Sequence, residues 1–146
     1  MTQVATPVSV VTTVHEGVSH GTTVSAFMSL SMRPPMALVS LDAGSRLLAV
    51  LELGSTIGLN VLAATQDPLA RHFATKNEDK FAGVEWELSS GAPRLPHTHA
   101  WIAGSVSQII PAGDHSLILV NVEASEPGQG SPLTYWRGGF GTHVAS

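Results

Sequence analysis

The chain contains no cysteine, which excludes disulfides, thiolate nucleophiles and Cys-ligated zinc or iron–sulfur centres. Charge is also sparse: 12% of residues are charged against 43% hydrophobic, with a net charge of −4. So thin a polar cover points to a surface partly occupied by a second copy or a ligand. The seven Lys and Arg are scattered singly, so no basic stripe marks a nucleic-acid surface. There is no run of about 18 apolar residues to cross a membrane as a helix. No basic n-region followed by an apolar stretch marks a signal peptide, and a cytoplasmic protein is the expectation. Motifs are missing too: no G-x-G-x-x-G after a strand, no Walker loop, no H-E-x-x-H, no G-x-S-x-G elbow. No carboxylate pair stands out for general acid–base work, and Glu85 and Glu87 read as a solvated face. These absences suit chemistry carried by a bound cofactor, with the protein positioning rings and excluding water.

At 146 residues the chain is expected to form one domain with a single sizeable core. The β-branched run Val8–Val14 predicts a strand, and His15-Glu16-Gly17 supplies a turn before the next one. Met36–Leu41 predicts a third. Ser45 is placed to cap a helix over Arg46–Leu53, with Gly54 as its stop. Ile57–Ala63 returns to strand character. Asp67-Pro68 then reads as a capping Asp with Pro at the first helical position. Glu85–Leu88, Ala100–Ile110, His115–Ala124 and Pro132–Trp136 predict further strands, with Gly104 as a bulge candidate. Many short strands broken by a few short helices predict a closed β-barrel with helical insertions. The cluster Gly138-Gly139-x-Gly141 reads as a flexible tail.

The stretch His20–Pro35 organises the rest. It alternates Val24, Ala26 and Met28 against Ser25, Phe27 and Ser29, which predicts one strand with two different faces. Its hydroxyls and backbone N–H groups suit either a half-buried barrel strand facing water or a cradle for phosphate and a polar ring edge. Asn60, inside a strand, is either a structural cross-link or a ligand contact. His97 and His99 fall on one strand face, as metal ligands or as a surface strand start. His15 and His20 flank a turn and read as solvated. His115 begins a strand after Gly113-Asp114, bonded to local backbone or poised for function.

Several stretches, in this order, resemble the short-chain flavin reductase family. They are VVTT (Val10–Thr13), HGTTVSAFMSLSMRPP (His20–Pro35), LVSLDAGS (Leu38–Ser45) and GLNVLAATQDPLARHFA (Gly58–Ala74). DKFAGVEWE (Asp79–Glu87), GAPRL (Gly91–Leu95), GDH (Gly113–His115) and PLTYWRGGF (Pro132–Phe140) complete the series. The resemblance implies a mainly β fold, an FMN-binding split β-barrel with a few short helices, as a single flavin reductase-like domain over residues 1–146. It implies an NAD(P)H-dependent reductase of FMN or FAD, homodimeric, supplying reduced flavin to a separate flavin-dependent monooxygenase.

By the same resemblance, Thr23, Val24, Ser25, Ala26 and Phe27 form the flavin-contacting strand. Ser40, Leu41, Asp42 and Ser45 match the phosphate-side strand and loop, where a helix start favours an anion. Asn60, Val61 and Leu62 match the segment along the ring edge, with Phe73 and Lys80 in a second flavin-side region. His115 matches the catalytic, nicotinamide-placing histidine, and Tyr135 and Arg137 match residues near the dinucleotide. Family members carry an amphipathic helix where only about seven residues precede the Val8–Val14 strand here. They often carry a glycine where this chain reads Leu119-Val120-Asn121. Two other readings stay open: a flavin-binding module without nucleotide turnover, and a hydrolase or metal-dependent enzyme built on His97 and His99.

Overall fold

The computed structural model describes residues 3–146. In chain order the first elements are β1 (Thr6–Pro7), β2 (Ser9–His15), β3 (Val18–Val24), β4 (Phe27–Met32) and β5 (Pro35–Asp42). Next come α1 (Arg46–Val50), β6 (Thr56–Val61), α2 (Asp67–Phe73), β7 (Glu87–Ser89) and β8 (Ala92–Arg94). Two long strands, β9 (Ala100–Ala112) and β10 (His115–Pro127), precede β11 (Leu133–Trp136) and β12 (Gly139–Thr142).

The main sheet is seven-stranded and antiparallel, in the order β3-β2-β6-β9-β10-β5-β4. Its ladder does not close, because β3 and β4 are its two edges; the closed barrel predicted from strand count is corrected to an open one. The reason lies in His20–Pro35, which is two strands rather than one. The chain leaves β2 at Val24 and joins β5 at Phe27, and Ala26 O accepts a hydrogen bond from Ser40 N at 2.8 Å in the break. Pro35 then opens β5, where a missing N–H costs least.

The inward residues follow the two-residue period of strands. Ala37, Val39 and Leu41 of β5 are buried with Val11, Ile57, Leu59, Ile118 and Val120, and Leu47 of α1 closes this core. A second cluster, Val8, Val10, Leu62, Phe73 and Leu133, lies beneath α2. The opposite residues of β5 and β10 face out. There Leu38, Leu117 and Leu119, with Met28 (53% exposed) and Ile110 (39%), leave an apolar outer face that nothing among the described residues covers.

Helix boundaries depart from the local signals. Ser45 caps α1 as expected, its Oγ accepting from Leu48 N at 3.3 Å, but α1 ends at Val50. Leu51 is pulled extended into the core instead of continuing the turn. At α2 the cap position belongs to Gln66, not Asp67. The Gln66 amide accepts from Ala63 N and donates to Pro96 O, while Asp67 pairs with Arg71 at 2.7 Å.

Glu85 and Trp86 lie outside the short strand β7, which starts at Glu87. The glycine cluster near the end is no loose tail. Arg137 and Gly138 take positive φ (50° and 75°) and turn β11 back onto β12, as a tight hairpin requires. At Gly104 the bulge is in the partner strand, at Glu123 of β10. A side chain at Gly104 would meet the Asn121 carbonyl oxygen at 1.9 Å, so the glycine permits the close strand approach.

Candidate functional site

Because β3 is a sheet edge, alternate peptides along it face away from β2. Gly21 O accepts from Lys80 Nζ at 3.1 Å, which puts the Gly21 peptide on that open side. A cleft of about 450 Å³ follows this edge. One wall is Ser19–Thr22, the second is the β5–α1 corner (Asp42 to Leu47), and the third is the segment after α2 (Ala74 to Phe81).

The electrostatics of the cleft favour an anion. Lys80 Nζ also donates to Phe73 O at 2.8 Å, so its ammonium is fixed by two carbonyls rather than by a carboxylate. Burial, and secondarily the nearby charge of Arg46, lowers the Lys80 pKa from its ordinary value. Among the described residues neither Arg46 nor Lys80 makes an ion pair. Asp42, the acid at the corner, turns Oδ1 onto Gly44 N at 2.8 Å. Lys80 and Arg46, neither in an ion pair, line the cleft with Lys76 against the acids Asp42 and Glu78, and this excess of cations beside exposed edge peptides fits a phosphate and a polar ring edge.

Of the residues singled out in the sequence, Asp42, Ser45 and Lys80 line this cleft. Ser25 and Ala26 sit in the β3–β4 break, and Ser40 is bonded to it. Thr23 is committed elsewhere, its Oγ1 donating to Ala70 O at 2.6 Å and fastening α2 to β3. Val24, Leu41, Leu62 and Phe73 are buried in the two cores, and half-buried Phe27 packs on the first, so these side chains are structural. Val61 ends β6 in line with Ser9 and Val24 at one end of the sheet.

Asn60 resolves the alternative posed above in favour of the cross-link. Its side chain is fully buried. Nδ2 donates to Val10 O (3.1 Å) and Pro93 O (3.3 Å), while Oδ1 accepts from Leu95 N (2.8 Å). Thr12 Oγ1 also donates to Pro93 O, at 2.7 Å. Together they pin the β7–β8 strap across the sheet, and no carboxamide atom is left for a ring edge.

His115 pairs with Asp42 in the β5–β10 ladder, next to the corner that walls the cleft, and is not itself among the residues lining it. Its Nδ1 is 2.8 Å from Asp114 Oδ1. That hydrogen bond, then the histidine's charge, holds the Asp114 carboxyl below the usual range. The ionised carboxylate can only accept, so Nδ1 carries the proton and Nε2 is the free nitrogen. Tyr135 and Arg137 are not brought into the cleft. Tyr135 packs on Phe140, and Arg137 stacks on Trp136 and donates to Gln3 Oε1 at 2.9 Å. His97 and His99 share no strand face: both precede β9, His97 with φ 61°, and His99 Nδ1 contacts Gly130 O at 2.9 Å. Among the described residues no group of three His, Cys, Asp or Glu is placed to hold a metal.

Two contributors escaped the sequence reading. His20, read as solvated, is half-buried and lines the cleft, and so does Arg46. Only their neighbours hinted at it: His20 precedes the edge glycine, and Arg46 follows the capping serine. A larger cleft, about 870 Å³, opens beside the β7–β8 strap. Its charged lining is Glu85, Glu87 and Glu126 against Arg94, which pairs with Glu126 at 2.7 Å, so it is the wrong sign for a phosphate.

Residues 1–143 match the flavin reductase like domain family. The chain is 36% identical over 140 residues to the reductase component of the 4-nitrophenol 4-monooxygenase/4-nitrocatechol 2-monooxygenase of Rhodococcus opacus, covering 96% of this chain and 76% of that protein. It is 34% identical over 140 residues to an NADH-dependent flavin reductase of a Rhodococcus species, covering 93% and 78%. The NADH:FAD oxidoreductase of Streptomyces globisporus C-1027, solved with NAD and FAD fragments, superimposes with a TM-score of 0.89 at 28% identity. That match covers 98% of this chain and 88% of the other.

Proposed function

This chain belongs to the flavin reductase-like family, and we propose that the β3 cleft holds the flavin for an NAD(P)H-dependent reduction of FMN or FAD. The observation that carries this assignment is the Lys80 ammonium, held by two carbonyls without an ion-pair partner beside the open edge of β3, in a cleft that Arg46 also lines. A flavin, when bound, supplies the acceptor for the nicotinamide hydride. The chain's own residues bind, orient and enclose it.

Arg46 and Lys80 neutralise the phosphate, and Ser45 sits at the same corner. The edge peptides of β3 and the Ser25–Phe27 break face the ring, so that backbone groups rather than side chains set its position. His115 offers Nε2 at the rim to place the nicotinamide, while Asp114 fixes its tautomer. No general acid is required of any of them. The protein's contribution is geometry: two rings held stacked at reacting distance, with water kept out. Residues 1–146 act as one domain in this scheme.

The apolar outer face of β4, β5, β10 and β9 supports a homodimer, because an open apolar sheet face on so weakly charged a chain needs a cover. Kinship to a monooxygenase reductase component supports delivery of reduced flavin to a separate monooxygenase. Among the described residues no helix is long and apolar enough to cross a membrane.

The test is anaerobic oxidation of NADH and NADPH by purified protein, with and without added FMN or FAD. Oxidation that requires flavin and saturates with it is the expected result. Flavin binding without oxidation of either nucleotide would leave a binding module in place of the enzyme.

A further inference from the structure

We propose that His20 is a third contact for the flavin phosphate, taking up a proton as the anion enters and so selecting the ionic form that binds. The proposal rests on the cleft's being the flavin-phosphate site. It concerns a residue that no motif in the chain assigns.

The geometry comes first. His20 immediately precedes Gly21, whose carbonyl holds Lys80, and it lines the same cleft as Arg46. It is half-buried and makes no side-chain hydrogen bond or ion pair among the described residues. Charged and titratable groups sit on the elements around it. His15 comes from β2, Asp42 and Arg46 from the β5–α1 corner, and Lys76, Glu78 and Lys80 from the segment after α2. Asp42 keeps its charge while accepting from Gly44 N, and the lining still carries three cations, Arg46, Lys76 and Lys80, against two acids, Asp42 and Glu78.

Burial, and then the charge of His15, lowers the His20 pKa from its ordinary value. At neutral pH the imidazole is therefore uncharged in the ligand-free protein. A phosphate dianion reverses the balance, since an opposite charge favours the protonated ring. The balance is one proton taken from solvent per dianion bound: neutral His20, H⁺ and phosphate give imidazolium beside phosphate.

This makes distinct predictions for three flavins. The monoester of FMN itself titrates near pH 6, as phosphate monoesters do, so its affinity peaks where one proton is shared between ligand and imidazole. Above that range its affinity falls by up to about tenfold per pH unit, the slope for uptake of one proton. The diesters of FAD do not titrate there, so FAD affinity rises to a plateau as pH falls. Riboflavin, without phosphate, binds independently of this group.

The experiment is equilibrium titration by quenching of flavin fluorescence, at constant ionic strength, across the histidine range. FMN, FAD and riboflavin are compared on the wild type, His20→Gln and His15→Gln. Support is a steep fall of FMN affinity above neutrality that His20→Gln flattens and His15→Gln displaces to higher pH. An unchanged FMN profile in His20→Gln, or a riboflavin profile that follows that of FMN, overturns the role of His20. No flavin binding at any pH, by protein that melts cooperatively, overturns the cleft assignment itself.

Discussion

Replacing Asn60 by alanine separates a structural amide from a ligand contact. The side chain makes three buried hydrogen bonds, to Val10 O, Pro93 O and Leu95 N. At about 1 kcal/mol net each, their loss costs about 3 kcal/mol. Leu95 N–H, on a residue 1% exposed, is then left without a partner, and truncation opens a small void. The total comes to about 4 kcal/mol, a large share of the 5–15 kcal/mol typical of a domain. With a urea slope of about 2 kcal/mol per molar, the midpoint falls by about 2 M. Trp101, the β9 partner of Asn60, reports the transition by its fluorescence. Flavin affinity, measured without denaturant on the folded fraction, stays within about threefold, since the carboxamide faces β2 and the strap. An unchanged urea midpoint with flavin affinity reduced tenfold or more would refute this reasoning and return Asn60 to the ring edge.

His115→Ala slows NADH oxidation by about tenfold or more while flavin affinity, read by fluorescence quenching, changes less than about threefold; collapse of flavin affinity would remove His115 from the nicotinamide role. Gly104→Ala drives a methyl into the Asn121 carbonyl and lowers stability by about 3 kcal/mol or more, visible as a large fall in melting temperature; a wild-type melt would show that β9 and β10 can separate there. Lys80→Met raises the FMN dissociation constant by about tenfold more than that of riboflavin, since the Gly21 and Phe73 carbonyls lose their partner with either flavin but only FMN also loses a phosphate contact. Met28→Glu places charge on the apolar outer face and shifts light-scattering mass toward the monomer; an unchanged mass would move the subunit contact elsewhere.

Much of the fold was legible because local chemistry and tertiary demand agree. The β-branched Val10–Thr13 segment and the alternating Ala37–Leu41 segment read as strands and are strands. The split between β3 and β4 was hidden because Val24, Ala26 and Met28 keep the two-residue period through the break. Periodicity reports the face of a residue, never which strand it pairs with. Likewise Asp67-Pro68 is a strong local cap, yet Gln66 takes the position through partners at Ala63 and Pro96 that only folding supplies. Ser45 and Lys80, named through the family resemblance, line the cleft proposed for the flavin. His20 and Arg46 were not named, since nothing in the spacing of residues 20, 46 and 80 says that the sheet edge gathers them. Asn60 shows the opposite failure: a polar residue in a strand looks the same whether it serves a ligand or a strap.

The open side of β3 has a consequence for handling the protein. Unpaired peptides along an edge strand are a template on which another chain can add a strand, the usual first step toward insoluble aggregates. Here the edge is shielded by the Lys80 ammonium seated on the Gly21 carbonyl, by α2 fastened through Thr23, and by whatever occupies the cleft. A bound flavin would therefore act as a removable guard on the edge. Ligand-free protein should precipitate sooner on storage or warming than protein kept with flavin, and loosening the segment from Ala74 to Lys80 should shorten its shelf life before it alters the sheet.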